Sequence, residues 1–209
     1  MNDLLRIWGR VSSINVKKVV WTAQELGLEF QRTEAGGQFG LVKTPEYMAL
    51  NPNSLIPTLQ DGNFVLWESN TIVRYLLAKH SPGQMYPTDL QERFDAERWM
   101  DWQLATFNPA SRPAFWQLIR TPPEQRDDAA IAASNAAVEV LMARLDAHLA
   151  GRTFMVAERF TMADLPLACE VHRWFGLPQA RQSHANVERW FESLQARQAS
   201  KGVLDMVLS

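Results

Sequence analysis

Residues Asn53 to Asn70 read NSLIPTLQDGNFVLWESN. Pro57-Thr58-Leu59-Gln60 runs into Asp61-Gly62-Asn63, and Phe64-Val65-Leu66-Trp67 follows. Asp-Gly between apolar runs is a strong short-range hairpin signal. Two features exceed a plain hairpin. Pro57 heads the first strand, where its missing N–H leaves a ladder position empty. Glu68-Ser69 follows the second strand directly, at the point where a helix would begin. The residues around this hairpin decide the fold.

Upstream, Leu4-Leu5-Arg6-Ile7-Trp8 is a short apolar strand ended by Gly9. Val16, Val19, Val20, Ala23 and Leu26 recur at helical spacing, and Gly27 is a natural stop. Leu28 to Thr33 suits a second strand. Gly36 to Gly40 reads as a flexible loop. Thr44-Pro45-Glu46 begins a short helix, with threonine capping and proline in the first turn. After the hairpin, Ile72, Val73, Leu76 and Leu77 mark a helix ending near His80. Residues 1–80 thus run β-α-β-α-β-β-α, a mixed sheet with helices against it.

From Thr88 the strand signals stop. Leu90 to Arg120 is helical, broken or kinked by Pro109 and Pro113. Thr121-Pro122-Pro123 is a hinge. Asp127 to Ala150 is one helix, with Ile131, Val138, Leu141, Met142, Leu145 and Leu149 along one face. Thr161 to Phe175 and Asn186 to Gln198 are two more. Two domains are expected, an α/β domain over 1–82 and an all-helical domain over 88–209. Phe160-Thr161-Met162-Ala163-Asp164-Leu165 has the parts of a capping box with a hydrophobic staple. Thr161 caps, Asp164 reaches back to its amide, and Phe160 packs on Leu165. The role of Thr161 and Asp164 is structural.

Composition narrows the function. Hydrophobic residues make up 46% of the 209, enough for a substantial core. The formal net charge of −2 and the lack of a like-charge block argue against nucleic acid as a partner. No apolar run approaches the length of a membrane span. Met1-Asn2-Asp3-Leu4 lacks the basic and apolar regions of a secretory leader. The single cysteine, Cys169, excludes an intramolecular disulfide and suits a reducing cytoplasm. His80, His148, His172 and His184 have no metal-ligand spacing, so no metal is expected.

The element order, with Ile56-Pro57 before the third strand, resembles the thioredoxin fold, in which that proline is cis. Such a bond turns the backbone so that the preceding residue's N–H and C=O face outward, where an extended peptide can pair with them. NPNSLIPTL at 51–59, LWESNTIVRYL at 66–76 and FTMADLPLA at 160–168 together resemble the glutathione S-transferase family. NVKKV at 15–19, WMDW at 99–102 and RTPPE at 120–124 resemble a bacterial subgroup of it.

That resemblance implies a thioredoxin-like domain binding glutathione as co-substrate and a helical domain holding a small hydrophobic or halogenated electrophile. Ile56, next to Pro57, would pair through its backbone with the cysteinyl part of glutathione. Glu68 and Ser69 would hold the γ-glutamyl end. Physics agrees, since a helix N-terminus binds a carboxylate and Glu68 can accept from an ammonium. Ser54 stands where relatives often carry histidine near the glycyl end. Lys43 or Gln38 could hold the glycyl carboxylate instead.

The family's reaction is attack by the glutathione sulfur, so a thiol pKa near 8.5 must fall. Lowering it by about two units needs roughly 2.7 kcal/mol. One hydrogen bond to a charged acceptor supplies about 1.5–3 kcal/mol, and a helix N-terminus adds about 0.3–1. One donor at the first helix is therefore enough. Ser13 is the first candidate, Asn15 the second, and Ser12 lies beside them; Ser13 or Asn15 could equally be a plain cap. The loop holds no tyrosine, and the first domain no cysteine. The electrophile is expected over the helical half, near Phe107, Arg112, Phe115 and Trp116, with Arg112 as its polar contact. A twofold dimer follows from the family pattern. Two other readings share these residues: a glutathione-binding or interaction module without catalysis, and a glutathione-dependent peroxidase or dehalogenase.

Overall fold

The computed structural model describes residues 4–209. Met1-Asn2-Asp3, part of the stretch read against a secretory leader, lies outside the described residues. The chain separates into two compact units, one ending at Pro82 and one running from Gly83 to Ser209.

In the first unit the order is β1 (Leu5–Trp8), α1 (Ile14–Glu25), β2 (Phe30–Thr33), α2 (Pro45–Leu50), β3 (Thr58–Asp61), β4 (Phe64–Trp67) and α3 (Ser69–His80). The sheet order is β2-β1-β3-β4. β1 pairs parallel with β2 and antiparallel with β3, and β3 pairs antiparallel with β4. The parallel pair needs a crossover, which α1 supplies. The antiparallel pair is closed by the Asp61-Gly62 turn, with Gly62 at φ 60.

Why α1 forms is legible in its apolar stripe. Val16, Val19, Val20 and Ala23 are buried, and α1 packs along α3 through the buried Ile72, Val73, Leu76 and Leu77. Thr44 caps α2, its hydroxyl accepting from the Tyr47 amide at 3.3 Å, with Pro45 in the first turn. Residues 36–40, read as a loop from their glycines, contain a short turn. Gly37–Phe39 form a 3₁₀ turn, closed by a bond from the Gly36 amide to the Gly40 carbonyl at 2.8 Å.

The second unit contains α4 (Leu90–Trp102), α5 (Asn108–Phe115), α6 (Asp128–Leu149), α7 (Asp164–Phe175) and α8 (Ala185–Gln195). α7 is buried from Asp164 to Trp174 and packs on α5 and α8. The two prolines do not break the path from Leu90 to Arg120. π-helical segments at Gln103–Phe107 and Trp116–Arg120 flank α5 and keep the backbone helical. Beside Pro113 the ladder opens and a side chain bridges it. The Ala114 amide donates to the Ser134 hydroxyl at 3.2 Å, and that hydroxyl donates to the Ala110 carbonyl at 2.5 Å. A side chain from α6 thus bridges the turn that proline disrupts.

The box at Thr161 forms with one change. Asp164 accepts from the Thr161 amide at 2.9 Å, as expected, but the Thr161 hydroxyl accepts from the Ala163 amide at 3.4 Å. The helix begins at Asp164 itself. That carboxylate also accepts from the Met155 amide at 3.0 Å and the Trp190 indole at 2.9 Å, tying α7 to α8. Complete burial pushes the Asp164 carboxyl up to about 6 despite these donors.

Candidate active site

The candidate site in the first unit starts at the Ile56-Pro57 bond, which is cis. Ile56 is half-buried and Pro57 buried. Among the described residues no hydrogen bond reaches the Ile56 amide or carbonyl. Both neighbours of this dipeptide are tied down. The Leu55 carbonyl accepts from the Tyr47 hydroxyl at 2.6 Å and the Asn51 amide nitrogen at 2.9 Å. The Thr58 hydroxyl meets the same two groups, Tyr47 at 2.9 Å and Asn51 at 3.2 Å. Burial raises the Tyr47 phenol above its ordinary value, so it stays neutral and can donate. Below the Ile56 side chain, Gly36 leaves room. An ideal Cβ there would stand 2.9 Å from Ile56 Cδ1.

Register brings the second clamp alongside. Thr58 pairs with Trp67, so Pro57 and Glu68 each adjoin the last pair of the β3–β4 ladder. Glu68 is the residue before α3, exposed, with φ 71 and ψ 109 and no capping bond from its side chain. Ser69, buried, opens the twelve-residue α3, whose first amides have no partner within the helix.

The three candidate donors are distinguished by their partners. The Ser12 hydroxyl accepts from Arg10 Nη1 at 2.6 Å. Asn15 Oδ1 accepts from the Ser69 hydroxyl at 3.3 Å, linking the starts of α1 and α3. Ser13 caps α1 by backbone geometry alone; its hydroxyl makes no capping bond and has no partner among the described residues. Ser54 is half-buried at φ 55, its amide donating to the Asn51 carbonyl at 3.1 Å. Gln38 and Lys43 are exposed.

Ser12, Ser13, Asn15, Ile56, Pro57, Glu68 and Ser69 therefore converge in one unit. Ser54, Gln38 and Lys43 belong to the same unit, and the electrophile candidates lie in the other. Phe107 is completely buried against Trp102, at 5.5 Å between ring centres, and Phe115 is buried under the guanidinium of Arg173 at 4.8 Å. Both rings are packed inside the helical unit. Trp116 is 48% exposed, with the guanidinium groups of Arg112 and Arg120 over its ring at 6.0 and 5.5 Å. Among the described residues no group of three or more His, Cys, Asp or Glu could hold a metal ion, and no helix is long and apolar enough to cross a membrane.

Residues 4–78 match the family model "Glutathione S-transferase, N-terminal domain", and residues 107–198 match "Glutathione S-transferase, C-terminal domain". The chain belongs to the glutathione S-transferase family. These proteins are enzymes, and one relative is glutathione S-transferase GstB of Escherichia coli strain K12. It is 40% identical over 176 residues, covering 83% of this chain and 85% of the relative. Among solved structures, the theta class transferase of Xanthomonas axonopodis pv. citri with glutathione bound aligns with TM-score 0.95 at 43% identity, covering 98% of this chain and 99% of that one. The apo form of that protein aligns with TM-score 0.85, 37% identity and 99% coverage of each chain.

Sequence reasoning missed Arg10, Tyr47 and Asn51. Asn51 had a legible signal, the Asn-Pro turn dipeptide at 51–52. Tyr47 is buried at a position whose helical spacing marks it only as core. Arg10 had no signal, since nothing in a loop sequence says which way an arginine folds.

Proposed function

We propose that this glutathione S-transferase binds glutathione at Ile56, Glu68 and Ser69 and activates its sulfur through Ser13. The observation that carries the reading is the division of labour among the hydroxyl and amide groups at the start of α1. Ser12 and Asn15 accept from Arg10 and Ser69 through their oxygens and are held in place by those bonds, whereas the Ser13 hydroxyl has neither its oxygen nor its proton engaged and stands at the N-cap of the helix. Ser13 then donates to the thiolate, Asn15 orients Ser69, and Ser69 with the first amides of α3 receives the γ-glutamyl carboxylate. The Ile56 amide and carbonyl pair with the cysteinyl unit as an added strand would. Ser54, Gln38 and Lys43 are the candidates for the glycyl carboxylate.

The electrophile is small and hydrophobic or halogenated, and the cationic aromatic patch of Arg112 and Trp116 is its candidate contact. The working form is a twofold dimer in the cytoplasm, which suits the exposed Leu90 and Phe94 on α4. Retention on immobilised glutathione, followed by turnover across a panel of activated aryl and alkyl halides, tests the reading. Retention without turnover would leave a binding module, and failure of both would end it. Turnover of a peroxide but of no halide would move the assignment to the peroxidase reading.

A further inference from the structure

We propose that Arg10 is a positioning residue whose charge favours the thiolate form of the bound glutathione and whose side chain fixes the Ser12-Ser13 loop. The proposal deepens the reading above and rests on it. Arg10 follows β1 and is bonded in three directions. Its amide donates to the Ala35 carbonyl at 3.1 Å, and its carbonyl accepts from the Ser13 amide at 3.1 Å. Its Nη1 donates to the Ser12 hydroxyl at 2.6 Å. The loop carrying the uncommitted Ser13 hydroxyl is thus held at both ends by one residue.

The guanidinium lies against the glycine turn that also receives Ile56. An ideal Cβ on Gly37 would stand 2.9 Å from Arg10 Nε, just as one on Gly36 would stand 2.9 Å from Ile56 Cδ1. Consecutive Cα atoms are about 3.8 Å apart. The cation and the peptide-pairing residue therefore rest on adjacent positions of one turn. Arg10 Nε is buried without a hydrogen-bond partner among the described residues, a donor that the neighbouring site leaves unsatisfied.

Other charged groups around the loop are already paired or further along the elements. Arg32 donates to the Gly9 carbonyl at 3.0 Å and pairs with Glu34 at 2.6 Å. Lys18 is buried on α1 and donates to Asn70 at 3.1 Å, and Lys17 is buried beside it. Glu68, exposed, is the carboxylate that precedes α3. A cation beside a thiol lowers its pKa, and about one unit is expected from a guanidinium near but not touching the sulfur.

The test is a titration of bound glutathione by the ultraviolet absorbance of its thiolate, alongside glutathione affinity by calorimetry. The proteins are wild type, Arg10→Gln, Arg10→Lys and Gly37→Ala. Arg10→Gln should raise the thiol pKa by about one unit and lower kcat/KM roughly tenfold below that pKa, converging with wild type at high pH. Arg10→Lys should recover part of the shift. Gly37→Ala keeps every charge but pushes the guanidinium away, so it should shift the pKa in the same direction by less. A purely structural role would lower affinity or melting temperature and leave the pKa where it was, which overturns the proposal. If Arg10→Gln does not fold, an unchanged pKa in both Arg10→Lys and Gly37→Ala overturns it equally. A wild-type protein that binds no glutathione, or binds it with an unlowered thiol, overturns the proposed function and this role together.

Discussion

Glu68 should be a residue that the fold tolerates at a cost. Its backbone stands at φ 71 and ψ 109, outside the small left-handed well that non-glycine residues visit. Such a conformation costs about 1–3 kcal/mol for a residue with a Cβ. Glycine removes that term but loses about 0.4–1 kcal/mol through the greater freedom of the unfolded chain. Glu68→Gly should therefore be more stable than Glu68→Ala by about 0.5–2 kcal/mol. The preference of helix N-caps for glycine over alanine acts in the same direction, and the Glu68 side chain makes no capping bond whose loss would confuse the pair. In a chain of this size the difference is a few degrees of melting temperature. Thermal unfolding without ligand measures it, and glutathione affinity measured on the same two proteins should fall together, since both lack the carboxylate. At an ordinary position with negative φ the order is reversed, with alanine the more stable. Alanine melting at or above glycine here would refute the strain and with it the idea that this backbone is bent to serve the site.

The remaining predictions concern chemistry and the helical unit. Ser13→Ala should cut kcat/KM near neutral pH by roughly ten- to hundredfold, the value of one hydrogen bond to a charged acceptor. Asn15→Ala should instead raise the KM for glutathione several-fold by releasing Ser69. The reverse pattern in steady-state kinetics would make Asn15 the donor. Asp164→Asn is isosteric, yet each carboxylate oxygen faces two donors: Met155 and Trp190 on Oδ1, the Thr161 amide and hydroxyl on Oδ2. Either orientation sets an NH₂ against donors, so a loss of about 3–5 kcal/mol is expected in thermal or urea unfolding. Because the folded-state pKa of Asp164 is raised to about 6 from 3.8, the native protein keeps a proton that the unfolded chain releases. This group's contribution to stability should therefore decline as pH rises between about 4 and 6 and level off above, by about 3 kcal/mol in all. That slope should be absent from the difference between wild type and Asp164→Asn if the assignment is wrong.

The fold was legible where local chemistry and burial agree. Period and turn residues placed α1, α2, the hairpin and α3, because each apolar stripe faces a core that the neighbouring element completes. The prolines of the helical unit misled for a physical reason. Pro113 removes an amide from the ladder, and beside it Ser134 on α6 bridges the Ala114 amide and the Ala110 carbonyl, which no local rule foretells. The glycines at 36 and 37 misled in the opposite direction. Freedom of φ suggested mobility, whereas their use is to let Ile56 and Arg10 approach the backbone more closely than a Cβ would permit. Aromatic density, the signal at Phe107 and Phe115, marks core as readily as pocket.

The candidate site divides along the same line. Its binding half rests on backbone: the Ile56 amide and carbonyl, and the first amides of α3. Turn and strand signals single out Pro57 and Glu68-Ser69 within residues 53–70, and the family resemblance is what implies binding roles for Ile56, Glu68 and Ser69. Its activating half depends on which hydroxyl has no other partner, and that is a property of neighbours far apart in sequence. Ser12 is held by Arg10, two residues away, and Asn15 by Ser69, fifty-four residues away, each through its acceptor oxygen. The hydrogen bond between Asn15 and Ser69 also couples the halves. A substitution that moves α3 should disturb the start of α1, so binding and activation should fail together when Ser69 is changed to alanine. They should separate when Ser13 is changed, with glutathione still bound and its thiol no longer ionised near neutral pH. Calorimetry and the thiolate titration on Ser13→Ala and Ser69→Ala decide this, and a Ser69→Ala protein that binds weakly yet lowers the thiol pKa in full would break the coupling.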